Sequence, residues 1–175
     1  MRQSSGAFAF TEPTQTARGM VLSDTLAVKS DESKPTPSVR RFVTATDAVR
    51  FQSPWTLEEW LCRSDVVQNK HLLLVRANME PFRSHPFHNH PTREELIFII
   101  AGQAEQWVGK EHRILKAGEM AFIPMGEVHG TYNPFPEKLV FLAILSPANA
   151  AEPGIVDKST EEPWASLRKG FPPVT

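Results

Sequence analysis

The sequence predicts an all-β fold, built as a small antiparallel barrel or jelly-roll sandwich. Its apolar runs are short, and turn residues separate them at intervals of roughly 8–12 residues. The chain also holds 15 prolines. Because proline cannot donate to a strand ladder and interrupts helices, this content favours short strands and turns over a helical bundle. With 175 residues, the chain has room for one ordinary domain and its extensions.

The composition argues against several functional classes. Nineteen basic side chains against 20 acidic ones leave a net charge of −1, whereas binding to nucleic acid or an anionic membrane needs a basic excess. No apolar run approaches the roughly 20 residues that cross a bilayer. The single cysteine, Cys62, cannot form an internal disulfide or a thiolate metal cage. We therefore expect a cytoplasmic protein that acts on a small molecule, with no nucleic-acid or membrane partner.

The two ends of the chain are expected to lie outside the barrel. Residues 1–38 lack the long apolar stretch of a secretory signal, and acids such as Glu12 and Asp24 are not typical of an organellar transit peptide. Residues 29–37 are polar and rich in proline and serine, which is typical of a linker. We predict a flexible or partner-docked extension at 1–38, the barrel at 39–150 and a C-terminal tail at 151–175.

The barrel region contains a series of predicted strands. They cover residues 71–79, 95–101, 103–108, 111–116, 119–123, 128–132 and 138–145. Gly109-Lys110 joins two of them in the pattern of a type II′ hairpin, which would place Trp107 opposite His112. Residues 51–62 are compatible with a helical turn or an edge strand. Pro81, Pro86 and Pro91 predict an extended loop.

Three histidines and one glutamate are candidate metal ligands. His88 and His90 are two residues apart, so on a strand both imidazoles project from one face. Glu95 opens the next strand and is favoured over Glu94 by strand alternation, and His129 follows a tight turn. This nitrogen and oxygen donor set suits Fe(II), Mn(II), Ni(II), Co(II), Cu(II) or Zn(II). Four ligands leave two octahedral positions open, which is typical of a catalytic site.

The spacing around these residues resembles the two motifs of the cupin family, of the small single-domain "cupin 2" type. The first motif runs from His88-Asn89-His90 through Glu95 to Gly102, and the second from Gly118 through Pro124-Met125-Gly126 and His129 to Asn133. The resemblance covers about residues 70 to 146. It implies a double-stranded β-helix that holds one divalent metal, with Fe(II) or Mn(II) favoured, on the four candidate ligands.

Two positions depart from the family pattern. Phe82 stands where the first motif usually begins with glycine, so the turn there is expected to differ. Glu119 replaces the aspartate that often follows the glycine of the second motif, which we regard as a minor change.

The open metal site favours a dioxygenase-type oxidoreductase that acts on a small oxygenated organic molecule. In this hypothesis Glu95 takes a proton from a hydroxyl of the ligated substrate. Two alternatives stay open. The metal can serve as the Lewis acid of an isomerase or lyase, or the protein can be a non-catalytic module that binds a small acid or sugar.

Further residues are candidates for the pocket. Tyr132 follows His129 by three residues and could act as an acid, although a hydroxyl anchored to the backbone is the alternative. Arg76 could hold an anionic substrate or lie on a solvated outer face. His85 could reach the mouth of the pocket or lie at the surface. Candidate lining residues for the substrate are Phe98, Phe122 and Phe141. Apolar surface left over on a small barrel predicts a homodimer.

Overall fold

The computed structural model describes residues 39–149, 153–172 and 174–175. They form two one-turn helices, α1 (Ser64–Val67) and α2 (Trp164–Leu167), and the following strands: β1 Val49–Gln52, β2 Leu57–Cys62, β3 Leu73–Met79, β4 Arg83–Asn89, β5 Glu94–Ala101, β6 Gln103–Val108, β7 Glu111–Lys116, β8 Met120–Ile123, β9 His129–Asn133, β10 Leu139–Ser146 and β11 Val156–Asp157. The predicted N-terminal extension lies outside the described residues.

The strands build two antiparallel sheets. The first has the order β1-β2-β3-β10-β5-β8 and the second the order β11-β4-β9-β6-β7. Strands that follow one another in sequence are thus often in different sheets, as in a jelly-roll barrel. The predicted all-β fold, a double-stranded β-helix, is confirmed. Residues 51–62, which the sequence left open between helix and strand, lie in the β1-β2 hairpin at the edge of the first sheet and in the turn that joins these strands.

The main core lies between the two sheets and follows from strand alternation. In β3, Leu73, Val75, Ala77 and Met79 are buried while the residues between them are partly exposed. In β10 the same alternation buries one face of the strand from Leu139 to Leu145. Burial of these side chains removes apolar surface from water, which is the principal stabilising contribution to such a barrel.

The predicted hairpin is confirmed. Trp107 pairs with His112 and Ala104 with Leu115, and the rings of Trp107 and His112 are stacked at 4.5 Å. Gly109 has a φ of 55°, in the left-handed region that a type II′ turn requires at its first central residue.

The segment around Pro86 corrects a prediction. The sequence predicts an extended loop between the prolines, but residues 83–89 form β4 and pair with β9. The ladder is irregular between His85 and His88, where Pro86 lies. A bulge accommodates a residue that cannot donate to the ladder. The proline is therefore compatible with a strand at this position.

The turn before β4 has an unusual backbone conformation at Phe82. Phe82 has a φ of 60°, in the left-handed region that glycine adopts most easily. The backbone N–H of Phe82 donates to the Asn133 carbonyl at 2.8 Å. A phenylalanine thus adopts a conformation that glycine would reach without strain, and the expectation that this turn differs from that of the family stays a prediction.

The C-terminal segment packs on the outer face of the second sheet. Phe87, Trp107 and Tyr132 form a buried cluster there, and residues from the described end of the chain cover it: Trp164, Leu167, Phe171 and Val174. The backbone of this segment also pairs with the barrel, since β11 adds to β4. The part of the predicted tail that the structure describes is thus folded against the barrel.

A buried ion pair fixes this segment. Arg168 donates from Nε and Nη2 to the two carboxylate oxygens of Glu105, each at 2.7 Å. The Trp107 indole N–H donates to the same carboxylate at 2.7 Å. The guanidinium also lies 4.3 Å from the centre of the Tyr132 ring. Bidentate pairing satisfies both charges in a place where water cannot reach the carboxylate.

The outer face of the first sheet carries both an ionic network and apolar side chains. Ile100, Met120 and Phe122 are exposed on β5 and β8, and the predicted homodimer stays a prediction.

In the part of the chain that the structure describes, neither helix is long and apolar enough to cross a membrane.

We predict that Arg168→Ala lowers the free energy of unfolding by about 3 kcal/mol, because it leaves the Glu105 carboxylate buried without its partner. Urea denaturation measures this difference. Arg113→Ala, which removes an exposed arginine of β7, is the control and is expected to change stability by less than about 0.5 kcal/mol. A wild-type midpoint for Arg168→Ala would contradict the structural role of the pair.

We predict a pH-dependent effect for Glu59→Gln. Hydrogen bonds from Arg76 and Asn78, together with the nearby charges, outweigh burial and lower the pKa of the Glu59 carboxyl from 4.5 to about 2. Because this pKa is depressed in the folded state, the stabilisation is present above about pH 4.5 and is lost as the pH falls toward 2.

At pH 7 we expect the Glu59→Gln variant to be about 1–2 kcal/mol less stable, an amount reduced for the partial solvation of the arginines. Denaturation midpoints at pH 7, 4 and 3 measure the difference between variant and wild type, which should shrink at each step. Glu111→Gln, at an exposed position, is the control. A difference that is constant with pH would contradict the role of the Glu59 charge.

Candidate metal centre

Residues from both sheets bring the four predicted ligands together. His88 on β4 and His129 on β9 are directly paired across the second sheet, and His90 follows the end of β4. Glu95 lies on β5 of the first sheet and faces them across the barrel interior. One ligand atom from each residue lies within 4.8 Å of the others, and all four side chains are buried. Glu94, by contrast, is exposed, as the alternation predicts.

Backbone carbonyls fix the orientation of the three imidazoles. The Nδ1–H groups donate to the carbonyls of residues 86, 154 and 127, at 2.7 Å for His88, 2.6 Å for His90 and 3.0 Å for His129. A carbonyl only accepts, so each Nδ1 must carry the proton. In the neutral rings the lone pair is therefore on Nε2, as in a histidine prepared to ligate a metal.

Two buried atoms of the group lack a partner. Glu95 Oε2 and His129 Nε2 make no hydrogen bond within the described part of the chain, although they are only 2.8 Å apart. Two acceptors at this distance need a proton or a cation between them. A buried carboxylate and several imidazole nitrogens suit a divalent transition ion. The residues present therefore fit the metal that the sequence predicts.

The electrostatics of the site support ionised Glu95 and neutral His88. Burial raises the pKa of Glu95, but hydrogen bonds and positive charge from His129 and His90 outweigh it and hold that pKa well below its ordinary value when these rings carry a proton on Nε2. A bound cation would take the place of that proton. Burial and the nearby histidines lower the pKa of His88 well below its ordinary value. A metal requires these forms, an anionic carboxylate and an imidazole with a free lone pair.

A cavity of about 350 Å³ opens next to the four ligands. Its floor is formed by inward-facing side chains of β3, β5 and β10, which are mostly aliphatic: Leu73, Val75, Ala77, Ile97, Ala143 and Leu145. Thr131 contributes a polar group, but its hydroxyl donates to Gln106 at 2.7 Å. A metal ion bound by the cluster would thus lie at one end of a largely apolar chamber.

An aromatic wall leads from the cavity to the cluster. The rings of Trp55 and His85 are stacked with centres 3.9 Å apart and planes 6° apart. The rings of His85 and His88 are also 3.9 Å apart. Burial, the largest influence, lowers the pKa of His85 to about 3, so its imidazole is neutral. The sequence left open whether His85 lies at the pocket or at the surface, and the structure places it in the wall of the cavity.

Glu58 adds a second carboxyl to the wall of the cavity. It lies on β2 with Trp60, and the Trp60 indole N–H donates to Glu58 Oε2 at 3.0 Å. Burial raises the pKa of Glu58 and exceeds the opposing effect of this hydrogen bond. Glu58 is thus the acidic side chain of the cavity wall that is not part of the four-residue cluster, within the described ranges.

Arg93 contributes the permanent positive charge of the wall. Its guanidinium donates to the carbonyls of Pro147 at 3.2 Å and Ala148 at 3.3 Å. These bonds hold the side chain against the loop that follows β10.

The structure places one of the three candidate phenylalanines in the cavity. Phe141 is buried and lines it. Phe98 and Phe122 are on the opposite face of β5 and β8, where Phe122 is 51% exposed. The prediction that these two bind substrate is wrong, because they alternate with the inward residues Ile97 and Ile123.

Two further predictions need correction. Tyr132 is separated from His129 by three positions, so strand alternation places it on the opposite face of β9, in the outer cluster with Phe87 and Trp107. Burial there raises the pKa of its hydroxyl, and a role as catalytic acid is not supported. Arg76 lies on the outer face of β3, where its Nε donates to Glu59 at 2.6 Å, so it cannot hold a substrate in the cavity.

Sequence reasoning missed several residues of the wall, namely Trp55, Glu58, Trp60 and Arg93. The first three precede the region of family resemblance. The spacing of Glu58 and Trp60 would have placed both on one face of a strand, had residues 51–62 been assigned to one. The Gly154 carbonyl that orients His90 carries no sequence signal.

Comparison with known proteins agrees with this geometry. Residues 75–145 match the cupin domain family, and no curated protein matches the chain by sequence. A Klebsiella pneumoniae protein described as an uncharacterized conserved protein with a double-stranded β-helix domain is 26% identical, with a TM-score of 0.53 over 64% of this chain and 94% of that one.

Two solved structures with oxalate decarboxylase in their descriptions are similar in fold. A predicted oxalate decarboxylase from Thermotoga maritima is 23% identical, with a TM-score of 0.55 over 61% of this chain and 98% of that one. The Bacillus subtilis oxalate decarboxylase, described with Mn(II) centres, is also 23% identical, with a TM-score of 0.55 over 65% of this chain and 30% of that one. The region that matches the cupin domain family, residues 75–145, includes all four clustered residues.

Proposed function

We propose that this protein is a metal-dependent oxidoreductase of the dioxygenase type that acts on a small oxygenated organic molecule. The observation that carries the proposal is the convergence of three imidazole Nε2 atoms and one carboxylate beside a largely apolar cavity. His88, His90, Glu95 and His129 would hold one divalent ion, with Fe(II) or Mn(II) favoured. The Mn(II) centres described for the Bacillus subtilis oxalate decarboxylase are compatible with this choice.

Each part of the site would have a distinct role. When bound, a redox-active ion would supply electron transfer to dioxygen. Glu95 would accept a proton from a substrate hydroxyl through its carboxylate. The apolar floor would admit both an organic substrate and dioxygen. It would also exclude water, and this exclusion strengthens the electrostatic interactions in the site.

Isomerase or lyase chemistry would need an acid or base beyond the metal ligands, and in the described wall the groups that could serve are Glu58 and His85, whose ring is stacked on Trp55. Glu58 is the one further carboxyl found in the described wall, and its Oε2 accepts the Trp60 indole N–H. The dioxygenase hypothesis requires less of such groups, and it is therefore the one we put forward.

We predict that the purified protein contains about one divalent transition ion per chain and that His129→Ala lowers its metal affinity at least tenfold. The variant removes a ligand without adding bulk. Elemental analysis and competition with a fluorescent chelator measure content and affinity. His71→Ala, at an exposed position outside the cluster, is the control. Equal affinity in the His129→Ala variant and the wild type would refute the ligand assignment.

We predict oxygen uptake by the protein loaded anaerobically with Fe(II) or Mn(II), when it is supplied with phenolic or enolic acids. Glu95→Gln should lower the rate by about 100-fold or more at saturating metal, because the amide cannot accept the proton. An oxygen electrode measures the rate. Turnover with Zn(II) in the absence of oxygen would replace this proposal with Lewis-acid chemistry, and saturable binding without turnover would identify a binding module.

A further inference from the structure

We propose that the cavity selects a ligand with an aromatic or comparably flat apolar body, which chelates the metal through two neighbouring oxygen atoms, and discriminates against small dicarboxylates. This inference rests on the proposed metal site, whose four protein ligands leave two positions of an octahedron for a chelating pair. It adds the class of molecule that the rest of the cavity can accept.

The size of the cavity exceeds what a two-carbon acid needs. An apolar protein cavity of roughly 150 Å³ is large enough to bind benzene, and the present one measures about 350 Å³. Much of the space comes from two small residues on adjacent strands. Ala143 on β10 pairs with Val75 on one side and Ile97 on the other, and Ala77 faces Phe141. The two alanines leave space in the floor that larger side chains would fill.

The walls of the cavity match a flat apolar body. The Trp55 indole is stacked nearly parallel to the His85 imidazole, so the wall next to the cluster is an aromatic surface. Trp60 and the buried Phe141 line the same cavity. A planar ring could stack or pack edge to face against such surfaces, with a gain beyond the burial of area alone.

The polar groups of the wall do not suit a dianion. Arg93 already donates to the carbonyls of Pro147 and Ala148, and the Thr131 hydroxyl donates to Gln106. Glu58 would place a second carboxyl in the same chamber. Within the described wall, a carboxylate that the metal does not neutralise would find one permanent positive charge, Arg93, whose Nε and Nη2 already donate to the loop, and it would also meet the carboxyl of Glu58.

Two hydroxamates test this class, because they share one chelating group and differ only in their body. Benzohydroxamate carries a phenyl ring and acetohydroxamate a methyl group. Isothermal titration of the Co(II)-loaded full chain gives both dissociation constants, and titration of free Co(II) corrects for intrinsic chelation. The ring buries on the order of 100 Å² more apolar surface, so we expect benzohydroxamate to bind about tenfold more tightly or better.

Variants locate the effect in the cavity. Ala143→Phe should fill the floor of the cavity and leave no space for the phenyl ring of benzohydroxamate. We expect the preference for benzohydroxamate over acetohydroxamate to fall below about threefold, with metal content unchanged. Trp55→Ala removes the aromatic wall and should reduce the preference by a similar factor, which keeps the test valid if Ala143→Phe does not fold. Leu142→Phe, on the outer face of β10, is the matched control and should retain the wild-type ratio.

Metal content measured in the same samples separates two failures. Metal-replete wild-type protein with a ratio near one would overturn the proposed ligand class and leave the metal site intact. A ratio that stays at its wild-type value in both cavity variants would also overturn it. Protein that binds no metal would instead overturn the proposed function on which this inference rests.

Discussion

The convergence of four donor atoms on one buried point is the constraint that the rest of the structure serves. Three imidazoles can present their Nε2 lone pairs to a common point only if each Nδ1 proton has a fixed acceptor. Backbone carbonyls supply these acceptors, and a carbonyl held in a strand or turn cannot rotate away. The buried, unpartnered atoms of Glu95 and His129 are costly in an empty site, and a bound cation would remove that cost.

The C-terminal segment takes part in this constraint. The Gly154 carbonyl accepts a hydrogen bond from His90 Nδ1–H, and β11 pairs directly with the strand that carries His88. Farther along, Arg168 holds the segment to the barrel through the buried Glu105. An element outside the family motifs therefore helps to set the orientation of a ligand within them.

The β2 strand shapes the opposite side of the cavity. It lies between β1 and β3 in the first sheet. It directs Glu58 and Trp60 into the cavity, while Glu59 forms ion pairs on the outer face. The four clustered residues and most of the apolar floor therefore lie within the matched region, whereas Trp55, Glu58 and Trp60 of the wall precede it.

The sequence by itself determined the all-β class, the hairpin register at Gly109-Lys110 and the four clustered ligands. These features depend on local spacing: turn residues fix a hairpin, alternation selects Glu95 over Glu94, and the motif spacing marks His88, His90 and His129. Only the tertiary structure decided which other side chains join the site. Arg76 and Phe122 proved to face outward, and His85 inward, because a bulge at Pro86 and the assignment of strand faces depend on pairing between distant segments. Tyr132 and Phe98 also face outward, and alternation from His129 and Glu95 was the local signal that could have shown it. The walls contributed by Trp55, Glu58 and Gly154 depend on long-range contacts for the same reason.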